Sequence, residues 1–244
     1  MLRVDAAVIG GTGIGELLAA RSGRAVTVPT EFGAMRGRLI EHEGKEILAV
    51  QRHSAGHRTP PHLINYRAIA AGVRALGVRA CFSSAAVGSL NAERGPGTVA
   101  ICTDMIDLTG RHLTLFQRTV SHTDLGDAFP LSPLLLSACT SAGLDPWEGV
   151  TYVGANGPRY ETPSEIRSMQ GMGGDVVGMT ASSEAVLFRE ARVPYGCLAV
   201  VTNLAAGLAK SELRHGEVTD VMKSMAATVT KILLDAAVAA GARK

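Results

Sequence analysis

The stretch Ala6-Ala7-Val8-Ile9-Gly10-Gly11-Thr12-Gly13-Ile14-Gly15 decides how this chain is read. An unbroken apolar run that stops at glycine is a strand buried on both faces, feeding a tight turn. Small residues there let backbone N–H groups come close to an anion, and Thr12 adds a hydroxyl donor. The same turn is also a plain strand-to-helix connection. It meets neither common nucleotide signature. With Gly11 and Gly13 as the first two glycines, the third dinucleotide position holds Glu16. Gly44-Lys45 is followed by Glu46 where a phosphate-binding loop needs Ser or Thr.

Outward from this point the pattern repeats. Residues 47–51 read as a strand that runs into the polar stretch 52–57. Pro60-Pro61 precede a helical pattern over 62–76, with Leu63, Tyr66, Ile69, Ala70 and Val73 on one face and Gly77 as its stop. Residues 80–87 form a buried strand ending at Gly88-Ser89, and 98–102 form another. A helix over 132–142 comes before a strand at 150–153, which meets Asn156-Gly157-Pro158. A helix opens at 163–169. A strand at 175–179 runs into Thr180, and 182–192 is helical. A strand at 195–202 ends at Asn203, and 212–240 is a long alanine-rich amphipathic helix. This alternation predicts an α/β fold: one domain over 1–244, with a twisted, mixed, mostly parallel sheet flanked by helices. In such sheets ligands sit at the carboxyl ends of strands. Each polar cluster falls at a strand end, so the clusters are expected to converge on one pocket.

Composition narrows the class. The 244 residues suffice for a sizeable core, with 46% hydrophobic and 19% charged residues. The 24 basic and 22 acidic residues leave a net charge of +2, too small for a general nucleic-acid binder. Cys81, Cys102, Cys139 and Cys197 lack metal-ligand spacing and read as buried thiols of a reducing compartment. No uninterrupted apolar stretch reaches membrane-spanning length, and the N-terminal run is too short for a signal peptide. The expected setting is the cytoplasm, with no membrane partner and no metal.

Four more clusters carry candidate chemistry. Arg52-His53-Ser54-Ala55-Gly56-His57-Arg58 offers a planar two-pronged guanidinium and two imidazoles for an anion; as a bland alternative it is a solvated basic loop. Gly157-Pro158-Arg159-Tyr160-Glu161-Thr162 can hold a flat heterocycle, Tyr160 by stacking and Glu161 by accepting a ring N–H. Thr162, before Pro163 and three residues ahead of Glu165, also reads as a helix N-cap. Gly178-Met179-Thr180 with Ser182-Ser183-Glu184 is either a sugar and phosphate support or a core Met before a capped helix. Asn203 ends an apolar strand with both a donor and an acceptor, or is a turn residue.

Taken in order, these segments resemble the trimeric purine nucleoside phosphorylase and methylthioadenosine (methylthioinosine) phosphorylase group. The similarity runs from Val8 to Val218. It rests on residues 9–13, 52–57, 65–67 (Asn-Tyr-Arg), 86–90 (Ala-Val-Gly-Ser-Leu), 157–162, 178–180 and 201–203. The resemblance implies the nucleoside phosphorylase fold. Thr12, Arg52, His53, His57, the Ala86 backbone and Thr180 would surround phosphate. Met179 would floor the ribose, Tyr160 would line the base site, and Glu161 and Asn203 would read the purine edge. The catalytic group would be Asn203, Glu161 and His57. Glu and Asn at these two positions resemble members that favour 6-oxopurines; members favouring 6-aminopurines have Asp where Asn203 stands. His215 resembles the residue that meets a 5′-hydroxyl, while Pro60-Pro61-His62 resembles bacterial methylthioinosine phosphorylases. Ala85 departs from the usual Thr or Asn, so a hydrogen bond is missing there unless Ser84 supplies it.

The reaction so implied is phosphorolysis of inosine or guanosine to base and ribose 1-phosphate, in purine salvage. Methylthioinosine and then methylthioadenosine are the alternatives. Phosphate is co-substrate, and no other cofactor is expected. The resemblance also implies a homotrimer, or a dimer of trimers, with Phe116 or His122 completing a neighbour's sugar pocket. Two rival classes stay open: a nucleosidase that needs no phosphate, and an idle nucleotide-binding module.

Overall fold

The computed structural model describes residues 4–54, 56, 58–209 and 215–242. Strand β1 (Ala6–Gly10) is buried at every residue, as its apolar run requires. It lies between β4 (Lys45–Gln51) and β5 (Cys81–Ser89), parallel to both. Alternation on these strands sorts side chains to opposite faces. Ala7, Ile9, Leu48, Val50, Ala85 and Val87 enter one core with helix α2 (Tyr66–Ala75) and helix α5 (Ala181–Glu190). Ala6, Val8, Ile47, Ala49 and Phe82 enter the other, with α1 (Ile14–Ala20), α3 (Ser132–Ser141) and α6 (His215–Ala242). The sheet is therefore covered on both faces.

The remaining strands are β2 (Arg24–Thr30), β3 (Gly33–His42), β6 (Val99–Asp107), β7 (Trp147–Gly154), β8 (Val176–Gly178) and β9 (Tyr195–Leu204). The order is β2-β3-β4-β1-β5-β8-β7-β6-β9, and β9 also pairs with β5. Strands β5, β8, β7, β6 and β9 thus return on themselves as a small closed barrel, continuous with an open sheet. Parallel pairs join β1 to β4 and β5, β5 to β9, and β7 to β6 and β8. The other pairings are antiparallel. The mixed α/β architecture matches the expectation.

Several elements differ from it. Residues 16–46 are assigned no element from sequence, and there the structure has most of α1 and the β2–β3 hairpin. That hairpin is half exposed at the sheet edge, so its alternation is diluted by arginines and glycines. Helix α2 begins at Tyr66, not 62. Asn65 caps it by accepting from the Ala68 N–H at 3.0 Å, and Pro61–Leu63 form a separate 3-10 turn. Strand β6 extends to Asp107, well past 102. Helix α4 (Pro163–Gly171) starts as predicted, with Thr162 and Glu165 in a reciprocal capping box. Helix α6 is long and apolar enough by composition to cross a membrane, but Met222, Val229, Ile232 and Leu233 are wholly buried in the second core.

Candidate active site

Five strand ends bring the polar clusters together. Beyond β1 lie Gly11 and Thr12, and beyond β4 come Arg52 and His53. The end of β5 gives Ala86 to Gly88, β8 leads to Met179 and Thr180, and β9 supplies Thr202 and Asn203. These residues, with Pro60, Pro61, Tyr160, Glu161 and Val218, line one cavity of about 330 Å³, large enough for a small ligand. Of the sequence candidates, Thr12, Arg52, His53, Ala86, Tyr160, Glu161, Met179, Thr180 and Asn203 all meet there. His57 lies outside the described residues. His215 is the first residue of α6, its side chain lying outside the described residues, and Val218, one turn on, lines the cavity. A larger cavity of about 580 Å³ lies beyond Arg52 and Thr59, over β3 and the start of α2. It contains none of the other candidates, so the chemistry points to the smaller one.

Arg52 is held differently from the expectation. Its two-pronged face is turned to Glu184: Nε donates to Oε1 at 2.6 Å and Nη2 to Oε2 at 2.8 Å. Nη1 donates to the Ser84 carbonyl at 2.8 Å. Both charged side chains are 1% exposed. Burial alone would lower the Arg52 pKa; the charge and hydrogen bonds of Glu184 outweigh it, and the guanidinium is held well above its ordinary value. A guanidinium has five N–H groups, so two remain for the cavity. The Nε/Nη2 fork is committed to Glu184, so what Arg52 can offer phosphate is one N–H each from Nη1 and Nη2. Glu184 also accepts from Tyr195 Oη at 2.6 Å, and Tyr195 in turn lies 2.5 Å from Ser83 Oγ. Sequence reasoning saw Glu184 only as part of a helix start. The available signal was an acid at helical spacing from Ala181, Leu187 and Phe188, on a face that the structure buries.

The glycine turn is shaped around that arginine. A Cβ on Gly11 would stand 2.7 Å from Arg52 Nη1 and 3.0 Å from the Ser84 carbonyl, inside van der Waals contact. The Gly11 N–H donates to Ser84 Oγ at 3.1 Å. Ser84 is therefore spent on the turn and does not line the cavity, so it cannot replace the bond missing at Ala85. Ala85 itself faces the apolar core. His53 is buried, with Nδ1 2.9 Å from the Thr59 carbonyl, and Ser54 Oγ lies 2.8 Å from Thr59 Oγ1. These contacts close the neck of the 53–59 loop.

Thr180 is the N-cap residue of α5, yet its side chain makes no capping bond. The Tyr152 hydroxyl accepts from the Thr180 and Ala181 N–H groups at 3.1 and 3.3 Å instead. That leaves the Thr180 hydroxyl for the cavity, beside the positive end of the helix dipole.

At the base end, Arg159 is committed to Glu165 at 2.7 and 2.8 Å, which leaves the neighbouring Glu161 without that partner. Partial burial, chiefly, lifts the Glu161 pKa. Asn203 is 9% exposed, its Oδ1 2.9 Å from Thr202 Oγ1 and its Nδ2 donating to the Leu204 carbonyl at 3.0 Å. One N–H of the amide remains. Gly157, at φ +64, packs against the Met179 side chain, whose sulfur any Cβ would strike. This contact couples the base-side turn to the Met179 floor.

Phe116 is half-buried and His122 exposed; neither lines the cavity of its own chain. Among the described residues His42, Glu43 and Asp235 could hold a metal ion, with ligand atoms within 4.8 Å of one another. They lie away from the cavity, and Lys231 already pairs with Asp235 at 2.5 Å.

A strand-end cavity lined by Thr12, Arg52, His53 and Thr180 and by Tyr160, Glu161 and Asn203 fits the class of enzyme that similarity to known proteins shows, the nucleoside phosphorylases. The chain belongs to the phosphorylase superfamily, whose model matches residues 5–239. It is 36% identical to the 6-oxopurine nucleoside phosphorylase of Pyrococcus furiosus, over 94% of this chain and 91% of that one. It is 37% identical to a probable S-methyl-5′-thioinosine phosphorylase of Methanopyrus kandleri, over 91% and 87%. Among solved structures, the methylthioadenosine phosphorylase of Schistosoma mansoni in complex with adenine superposes with a TM-score of 0.88 at 26% identity, over 99% of this chain and 93% of that one.

Proposed function

We propose that this enzyme is a 6-oxopurine nucleoside phosphorylase, which splits inosine or guanosine with inorganic phosphate into free base and ribose 1-phosphate. One observation carries the reading. The same cavity holds donors at one end (Thr12, Arg52, His53, Thr180) and the Glu161–Asn203 pair at the other, with Met179 between them. A 6-oxopurine presents N1–H as a donor, which the Glu161 carboxylate accepts. Its O6 and N7 are acceptors, which the remaining Asn203 N–H meets.

Phosphate sits beneath C1′ against Thr12, the two unspent N–H groups of Arg52, the Ala86 backbone and Thr180; His57 belongs to this group by resemblance. As the glycosidic bond stretches, the sugar gains cationic character, which phosphate stabilises and then captures. The leaving purine gains negative charge, which the Asn203 donor relieves. Holding phosphate and sugar in line supplies much of the acceleration. Phosphate is itself the nucleophile, so the step requires no metal or organic cofactor. The enzyme acts in this scheme as a homotrimer in the cytoplasm, where Phe116 or His122 closes a neighbour's sugar pocket.

A second reading has its own support. Pro60, Pro61 and Val218 form an apolar wall to the cavity, which suits a 5′-methylthio group better than a hydroxyl. The test is a phosphorolysis panel of inosine, guanosine, adenosine, methylthioinosine and methylthioadenosine, each with and without phosphate. Inosine and guanosine are expected to be cleaved only with phosphate, ahead of adenosine. Preference for methylthioinosine selects the second reading. Base release without phosphate makes the protein a nucleosidase, and binding without turnover makes it a binding module.

A further inference from the structure

We infer that Arg111 is a positioning residue that locks the base-reading turn to the sugar floor, so that both halves of the nucleoside site move as one body. The inference rests on the nucleoside reading above. Arg111 does not line the cavity; it acts through residues that do. Its Nε donates to Asn156 Oδ1 at 2.7 Å and Nη2 to the Asn156 carbonyl at 2.7 Å. Asn156 opens the turn that carries Tyr160 and Glu161. On its other edge, Nη1 lies 3.1 Å from the Met179 carbonyl, 3.0 Å from Ser183 Oγ and 3.2 Å from Tyr66 Oη. The guanidinium carbon sits 5.2 Å from the centroid of the Tyr66 ring, a cation–π arrangement. One planar group therefore ties the 156–161 turn, the Met179 backbone, α5 and α2 together.

The approach of Arg111 is built by the chain just before it. Past the end of β6, Asp107 Oδ1 accepts from the Thr109 N–H at 2.9 Å, and Thr109 Oγ1 accepts from the Arg111 N–H at 3.1 Å. Two successive side-chain turns of this kind bend a chain tightly. They aim residue 111 back toward α5 at the head of an otherwise irregular stretch. Lysine cannot take the role. Its single ammonium has three donors at one point, whereas the guanidinium presents separate edges to Asn156 and to Met179.

The consequence is selective. Among the described residues the Arg111 side chain donates to Asn156, Met179, Ser183 and Tyr66 and to none of Thr12, Arg52 and Thr180, the groups assigned to phosphate. Loosening it should therefore disturb the nucleoside, held by the 156–161 turn that Arg111 bonds directly, more than phosphate, whose groups it reaches only through the Met179–Thr180 peptide and α5. Displacements of about 1 Å at a reacting centre cost up to about a hundredfold in rate.

The experiment uses R111K, with Asn156→Ala as a second variant at an exposed position, and the double variant. Initial rates with inosine and phosphate varied separately, and calorimetric binding of hypoxanthine, are the readouts. Hydrogen exchange of the 156–161 segment adds one that needs no activity. Expected are a nucleoside KM raised about tenfold with phosphate KM within about twofold, faster exchange over 156–161, and a double variant no worse than R111K alone. Equal changes in both KM values, or additive losses in the double variant, would overturn the inference. So would unchanged exchange over 156–161. Failure of the wild-type protein to bind hypoxanthine would instead sink the nucleoside reading itself.

Discussion

In the proposed function, Asn203 and Glu161 are the residues that choose which purine edge the cavity accepts. Replacing Asn203 with Asp turns the donor that meets O6 and N7 into an acceptor. A buried site that mispairs its polar groups discriminates strongly. Asn203→Asp should therefore move the ratio of kcat/KM for adenosine over inosine upward by about tenfold or more; an unchanged ratio would remove Asn203 from the base site. In the same proposal Glu161 is expected to set the acid limb of activity. Burial raises its pKa, so as pH falls it takes up a proton sooner than a solvated carboxylate does. The protonated form no longer accepts N1–H, and kcat/KM for inosine should fall at a pH above the usual carboxylate range. The linkage to stability runs the opposite way from activity. A raised native pKa favours the folded state below the unfolded pKa, and that advantage is lost as pH rises through the native one. In Glu161→Gln the acid limb should disappear from the pH profile while the rate drops about a hundredfold.

At the scale of elements, the buried Arg52–Glu184 pair welds the end of β4 to the first turn of α5, and the glycine turn after β1 closes over it. Such a pair gains little net stability over apolar packing, but breaking one side leaves an uncompensated buried charge. Arg52→Ala is accordingly expected to destabilise the fold by about 3–5 kcal/mol, read from the denaturant midpoint, besides weakening phosphate use. The pair Arg52→Met with Glu184→Gln, neutral on both sides, should recover much of that stability while the phosphate KM stays high. If the double variant regains phosphate use as well, Arg52 has only a structural role. The elements missed in the sequence have a common cause. The β2–β3 hairpin is stabilised by pairing along the sheet edge and by cross-strand contacts, and its own residues carry little hydrophobic alternation.

For the whole molecule, the proposed trimer makes a plain prediction. Light scattering should give a mass three times that of the 25.4 kDa chain, and a fully active monomer would show that the sugar pocket needs no neighbour. In a trimer, His122→Ala or Phe116→Ala should raise the nucleoside KM without altering the assembly.

The α/β class, the strand ends that face the cavity and most of its lining were legible in the residues alone, because burial on both faces of a parallel strand leaves an unbroken apolar run that halts at the polar cluster. Ordered short motifs then tied Thr12, Arg52, Tyr160, Glu161, Met179, Thr180 and Asn203 to one chemistry. Only the tertiary structure decided who holds whom. Glu184 takes the fork of Arg52, Ser84 braces Gly11, Arg159 leaves Glu161 for Glu165, and Arg111 bridges two distant segments. So did the closure of five strands into a barrel. The physical reason is that hydrophobic periodicity is a local property of the chain, whereas the pairing of a charged side chain is fixed by neighbours that may lie a hundred residues away in sequence.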